Sequence, residues 1–82
     1  MDIVAGSVVK SKAGKDKGEF FVVVSLDGDR VSVCDGKSRG LSNPKRKNPR
    51  HLAVTSTVID LPITDKQLRI TLKKFSEVTK ED

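Results

Sequence analysis

The apolar positions of this chain come in short runs whose period changes once. Residues 20–24, Phe-Phe-Val-Val-Val, are too few for a free-standing helix, and their aromatic and β-branched side chains predict a central strand over residues 19–26, buried on both faces. Upstream, Gly6-Ser7-Val8-Val9-Lys10-Ser11 predicts a first strand with Val8 or Val9 toward the core. Downstream, Asp27-Gly28-Asp29 signals a hairpin, because Asp-Gly favours the turns whose twist matches that of the strands they join. The returning strand is residues 30–34, with Val31 and Val33 on one face and Ser32 and Cys34 on the other, and Asp35-Gly36 marks the next turn.

From residue 37 to residue 51 the pattern is polar, with Leu41 the only large apolar side chain. Pro44 and Pro49 exclude a helix through this stretch, and Lys45-Arg46-Lys47-Asn48 between them has the length of a short edge strand. Pro49-Arg50-His51 then turns, as a single 3₁₀ turn, into residues 52–58, where Leu52, Val54 and Val58 share one face of a closing strand. Five short strands joined by tight turns predict a mainly β fold, a small five-stranded SH3-like barrel over residues 1–58.

The period lengthens after residue 59. Residues 59–82 read as a linker and a C-terminal amphipathic helix packed on the same domain. Thr64 and Gln67 have the spacing of a capping box at the start of a helix over residues 65–78, and Leu68, Leu72, Phe75 and Val78 form one stripe. Ile70 falls on the opposite side, either as a lone exposed residue or as a partner contact. Glu81 and Asp82 are expected to be disordered.

Eighty-two residues support one small core, and with three Phe and no Trp or Tyr it must be built from Val, Leu and Ile. A monomer is expected. The net charge is +5, a surplus that suits a polyanionic partner. Residues 1–52 carry eleven Lys and Arg against six acids, residues 53–82 five against five, so the whole surplus lies in the first part. Cys34 is the only cysteine, which excludes an intrachain disulfide and fits a reducing, cytoplasmic setting. No apolar run is long enough to span a bilayer and the N-terminus lacks signal-peptide character, so no membrane partner is expected.

For catalysis the inventory is poor: one His, one Cys and no nucleophile, redox or zinc-protease motif. The chain is therefore read as not an enzyme, with no metal site and no cofactor. The Gly14 to Gly18 loop opens into a strand instead of a helix N-terminus and lacks the spacing of a P-loop. It can instead take positive φ at both ends while carrying Lys15 and Lys17. The chemistry lies in two cationic clusters: Lys10, Lys12, Lys15 and Lys17 around this loop, then Lys37, Arg39, Lys45, Arg46, Lys47 and Arg50 with His51. Residues 37–51 contain no acid at all, whereas a merely solubilising surface usually mixes signs. If the edge strand pairs near the first strand, both clusters flank one face, with Arg39, Arg46 and Arg50 suited to bidentate phosphate contacts. No helix suits a DNA major groove, and charged loops on a barrel suit an irregular RNA surface.

One segment also carries a likeness. Gly6, Val8-Val9, Ala13-Gly14, Gly18 and Val22-Val23-Val24 resemble the KOW motif of ribosomal proteins and transcription elongation factors, whose loop often reads Gly-x-x-Lys-Gly, as Gly14-Lys15-Asp16-Lys17-Gly18 does. Phe21 stands near where another Gly commonly follows, which looks more like the large-subunit ribosomal branch of archaeal and eukaryotic type. The likeness covers roughly two-thirds of the chain, from Gly6 to about Thr57. It implies a structural, non-enzymatic role on ribosomal or other folded RNA, in translation. The other expectation is a protein-interaction adaptor of the transcription or translation machinery, meeting ribosomal or transcription proteins through the C-terminal helix and Ile70.

Overall fold

The structure, a computed structural model, describes residues 2–79, without the side chains of residues 78 and 79. In chain order it contains β1 (Ser7–Ser11), β2 (Phe20–Asp27), β3 (Arg30–Cys34), β4 (Lys45–Lys47), a 3₁₀ turn (Pro49–His51), β5 (Leu52–Val58) and α1 (Asp65–Thr79). The strands form one antiparallel sheet in the order β4-β3-β2-β1-β5. The fold is thus mainly β with one C-terminal helix. Among the described residues no helix is long and apolar enough to cross a membrane. Glu81 and Asp82, and the side chain of Val78, lie outside what is described.

β2 is central because successive side chains of a strand point to opposite faces and both of its faces are apolar. One face gathers Val9, Phe21, Val23, Val31, Val33 and Leu52 into an inner core. The other sets Val8, Val22 and Cys34 under Leu68 and Leu72 of α1, with Phe20 and Phe75 at the margin. Val8 and Val9 are both fully buried, one on each side. The choice between them that the sequence leaves open disappears once a helix covers the second face. Cys34 belongs to that second core, where burial, and then the carboxylates of Asp65 and Asp35, push its thiol pKa up.

α1 begins where the capping box predicts: the Gln67 amide donates to Thr64 Oγ1 at 3.1 Å. Its first turn is tied to the β3–β4 connection. The Leu41 amide donates to Asp65 Oδ1 at 2.8 Å, and Arg69 Nη1 donates to the Gly36 carbonyl at 2.8 Å. Gly36 allows this approach: its φ is +82°, and a Cβ there would stand 2.5 Å from the Asp65 carbonyl oxygen and 3.0 Å from the Arg69 nitrogen. Ile70 points away from the core and is 46% exposed.

Two expectations need correction. β4 pairs with β3 alone and not with β1, so backbone pairing leaves the sheet open between β4 and β5. Val58 does not share the burial of Leu52: it is 56% exposed. The register shifts between the Val9–Val54 and Ser7–Val58 pairs, where β5 spends more residues than β1, so Val58 stands at the end of the sheet beyond the apolar side chains of the inner core.

Gly36→Ala combines a left-handed backbone with a steric clash against α1 and should destabilise the fold by about 2 kcal/mol or more. Gly28→Ala, at φ +66° with open space around it, should lose about 1 kcal/mol. Chemical denaturation of both variants checks the order, and equal losses would contradict the docking role of Gly36.

Candidate nucleic-acid interface

The β1–β2 loop is a compact turn framed by Gly14 at φ +86° and Gly18 at φ +91°. Backbone bonds from Lys17 to the Gly14 carbonyl (3.2 Å), Glu19 to Asp16 (2.9 Å) and Gly18 to Ser11 (2.8 Å) hold it. Lys15 and Lys17 are exposed, while Asp16 between them turns inward. Ser11 Oγ donates to Asp16 Oδ1 at 2.7 Å, Lys47 Nζ donates to the same oxygen at 2.9 Å, and Lys45 Nζ lies 3.1 Å from Oδ2. Lys47 Nζ also donates to Ser11 Oγ at 3.0 Å.

The register of β4 explains why these two lysines reach Asp16. Lys45 pairs with Val33 and Lys47 with Val31, residues of the inner core, whereas Arg46 pairs with Ser32 and takes the opposite side. Lys47 is left with a side chain only 8% exposed and Asp16 with one 13% exposed. A buried ammonium is tolerable only with close acceptors, and here a carboxylate and a hydroxyl supply them. Burial by itself would raise the Asp16 pKa, but the hydrogen bonds from Ser11, Lys47 and Lys45 and the charge of Lys47 outweigh it and hold the carboxyl well below the usual carboxylate range.

Around this cluster three segments meet. The Lys12 amide donates to the His51 carbonyl at 2.8 Å, joining the 3₁₀ turn to the end of β1. Asn48 caps that turn by accepting from the Arg50 amide at 3.0 Å. Lys12, Lys15, Lys17, Arg46, Arg50 and His51 are all exposed. Among the described residues no ion pair engages the five Lys and Arg of this group.

The remaining basic positions lie elsewhere. Lys10 pairs with Phe20 on the helix side, its ammonium 5.6 Å from the Phe20 ring centroid. Lys37 and Arg39 belong to the β3–β4 connection. There the Asp35 carboxylate accepts the amides of Lys37 (2.9 Å) and Arg39 (2.8 Å) and the Ser38 hydroxyl (2.8 Å). Burial would raise the Asp35 pKa, but these bonds outweigh it and lower it.

Lys45 and Lys47 therefore differ from the surface cations that the polar pattern suggests. Both are spent on Asp16, and Lys47 is a buried structural residue. Parts of the two clusters do meet, the Gly14 to Gly18 loop against Lys45 and Lys47, but through an acid and a side-chain bridge instead of backbone pairing. Asp16, Ser11 and Asp35 are the residues that sequence reasoning missed. An acid between two lysines in a glycine-framed loop reads as solvated, and only the register of a strand 30 residues later shows otherwise.

Asp16→Asn would leave Lys47 buried without its counter-charge, and we expect a loss of about 3 kcal/mol at neutral pH. A lowered carboxyl pKa adds stability that is present above the unfolded value of about 4 and is lost as pH falls through the folded value. The wild type should therefore lose stability progressively below about pH 4, and Asp16→Asn should lose less over the same range. Denaturant titrations at several pH values check both statements, and parallel pH profiles would contradict them. The chain matches no protein-family model and no curated protein sequence.

Proposed function

We propose that the chain is a non-enzymatic RNA-binding protein, ribosomal or ribosome-associated and cytoplasmic, whose sheet is a small SH3-like barrel of the KOW type. The observation that carries this reading is the meeting of the β1–β2 loop, β4 and the 3₁₀ turn at Asp16. It leaves Lys12, Lys15, Lys17, Arg50 and His51 exposed on the segments that meet there, with Arg46 exposed on the other side of β4, while the acid among them faces inward. Such a surface suits phosphates held in an irregular spatial pattern, as a folded RNA presents them. The arginines would make bidentate contacts and the lysines less directional ones. Barrel closure is supported by the Lys47 side chain, which crosses from β4 to Ser11 of β1, and by the single turn between β4 and β5.

A protein-interaction adaptor is the second reading, favoured by one observation, the exposed Ile70 on the outer face of α1. Salt response separates the two. With about five phosphate contacts, affinity for a folded RNA should fall roughly a hundredfold between about 50 and 200 mM salt. Arg46→Glu with Arg50→Glu should weaken binding at least about tenfold and flatten that slope, without a loss of thermal stability. Filter binding or fluorescence anisotropy at several salt concentrations measures both effects. A salt-independent affinity, or reversals without effect, would favour the adaptor.

A further inference from the structure

We propose that the groove between β5 and the end of α1 is a nucleobase site, which takes one unstacked nucleotide of the bound RNA. The inference rests on the RNA-binding reading and adds a source of base selectivity to it. The groove measures about 420 Å³ and is lined by Phe20, Phe75, Lys10 and residues 53–57 of β5. That volume suits a small planar ligand.

Its chemistry is that of a nucleotide pocket in three respects. The rings of Phe20 and Phe75 meet edge to face, 5.1 Å apart at an interplanar angle of 75°, and both are half-buried, so a planar base has apolar ring surface to lie against. The Lys10 ammonium stands over Phe20 as the only charged group that the described residues bring to the lining. A base that takes its place on the ring frees that ammonium for the attached phosphate. The third wall is β5, an edge strand of the sheet. Five consecutive residues of it line the groove, so the wall includes main chain as well as side chains. Thr55 Oγ1 already donates to the Val8 carbonyl and accepts the Thr57 amide. Among the described residues the hydroxyls of Ser56 and Thr57 enter no such bond, and they supply donors and acceptors for a base edge.

Charge favours this groove over the larger one on the other side of α1, where Glu19, Asp35 and Glu77 stand among Lys37, Arg69 and Lys73. Among the described residues, an anionic ligand meets three carboxylates there and none in the β5 groove. The β5 groove is also continuous with the cationic surface. Lys10 and Ala53 are paired, Ser11 and Leu52 follow, and the Lys12 amide bonds the His51 carbonyl. An RNA strand whose phosphates lie on Lys12, Arg50 and His51 therefore passes the mouth of the groove.

The test is titration of the isotopically labelled full chain with AMP, GMP, CMP and UMP, read by NMR, with inorganic phosphate as the control. At least one nucleotide should shift the amides of residues 53–57 and the ring protons of Phe20 and Phe75, and phosphate should leave them in place. Phe75→Leu, which keeps an apolar residue against the core, should abolish those shifts and weaken binding of an RNA with an unpaired loop about tenfold at every salt concentration. Lys10→Gln, at an exposed position outside the core, should weaken the same RNA and reduce its salt slope by about one contact. Nucleotides that move only the resonances phosphate moves, or a Phe75→Leu variant that binds the looped RNA like wild type, would overturn the proposal. A steep salt dependence retained in either case would leave the phosphate-binding reading standing, so the two failures are distinguishable.

Discussion

One carboxylate holds together the parts of this molecule that carry its charge. Asp16 accepts from Ser11 of β1, Lys47 of β4 and Lys45 of β4 at 2.7 to 3.1 Å. β4 has only three residues and a single neighbouring strand, which makes it a weak element by itself. Its attachment to the far side of the sheet runs through side chains. A buried ion pair of this kind gives little net stability over an apolar substitute, but it fails badly when one partner is removed. It specifies an arrangement: the loop must fold back toward β4, and Lys15 and Lys17 on either side of Asp16 must then face outward. Lys15 and Lys17 owe their outward placement to an acid with which, among the described residues, neither forms an ion pair.

The two faces of β2 divide the work of the fold. The inner core of valines, Phe21 and Leu52 holds the sheet together, and its polar rim is where Lys45 and Lys47 turn to Asp16. The outer core under α1 draws in partly buried side chains from β2, α1 and the loops and ends in the Phe20–Phe75 pair. The helix is fixed at its first turn by Asp65, Arg69 and the space left by Gly36. That anchor sets where Phe75, near the other end, stands across the groove from β5, so the geometry of the groove depends on a contact at the opposite end of α1.

Much of the fold was legible in the sequence. The β3 strand, the 3₁₀ turn at Pro49, the β5 span and the Thr64 cap stand where turn chemistry and periodicity put them. These are local signals, set by Asp-Gly, Pro and a hydroxyl before an amphipathic run. The errors came from long-range terms. Val58 lost its place in the core to a shift in register against β1, which composition does not reveal. Lys47 looked like its neighbour Arg46, and only strand pairing separates them, turning one toward Asp16 and leaving the other in solvent. The aromatic groove was hidden for a similar reason, since Phe20 and Phe75 lie 55 residues apart and meet only because α1 folds back over β2.

The claim on which the account depends is that the β1–β2 loop, β4 and the 3₁₀ turn act as one surface toward RNA. Hydrogen exchange of the full chain, free and bound to a folded RNA, measures this most directly. The account predicts that protection on binding appears together over residues 12–18 and 45–51, with little change around Val4 and Val58 at the opposite end of β1 and β5. Protection confined to one of the segments, or centred on that opposite end, would contradict it.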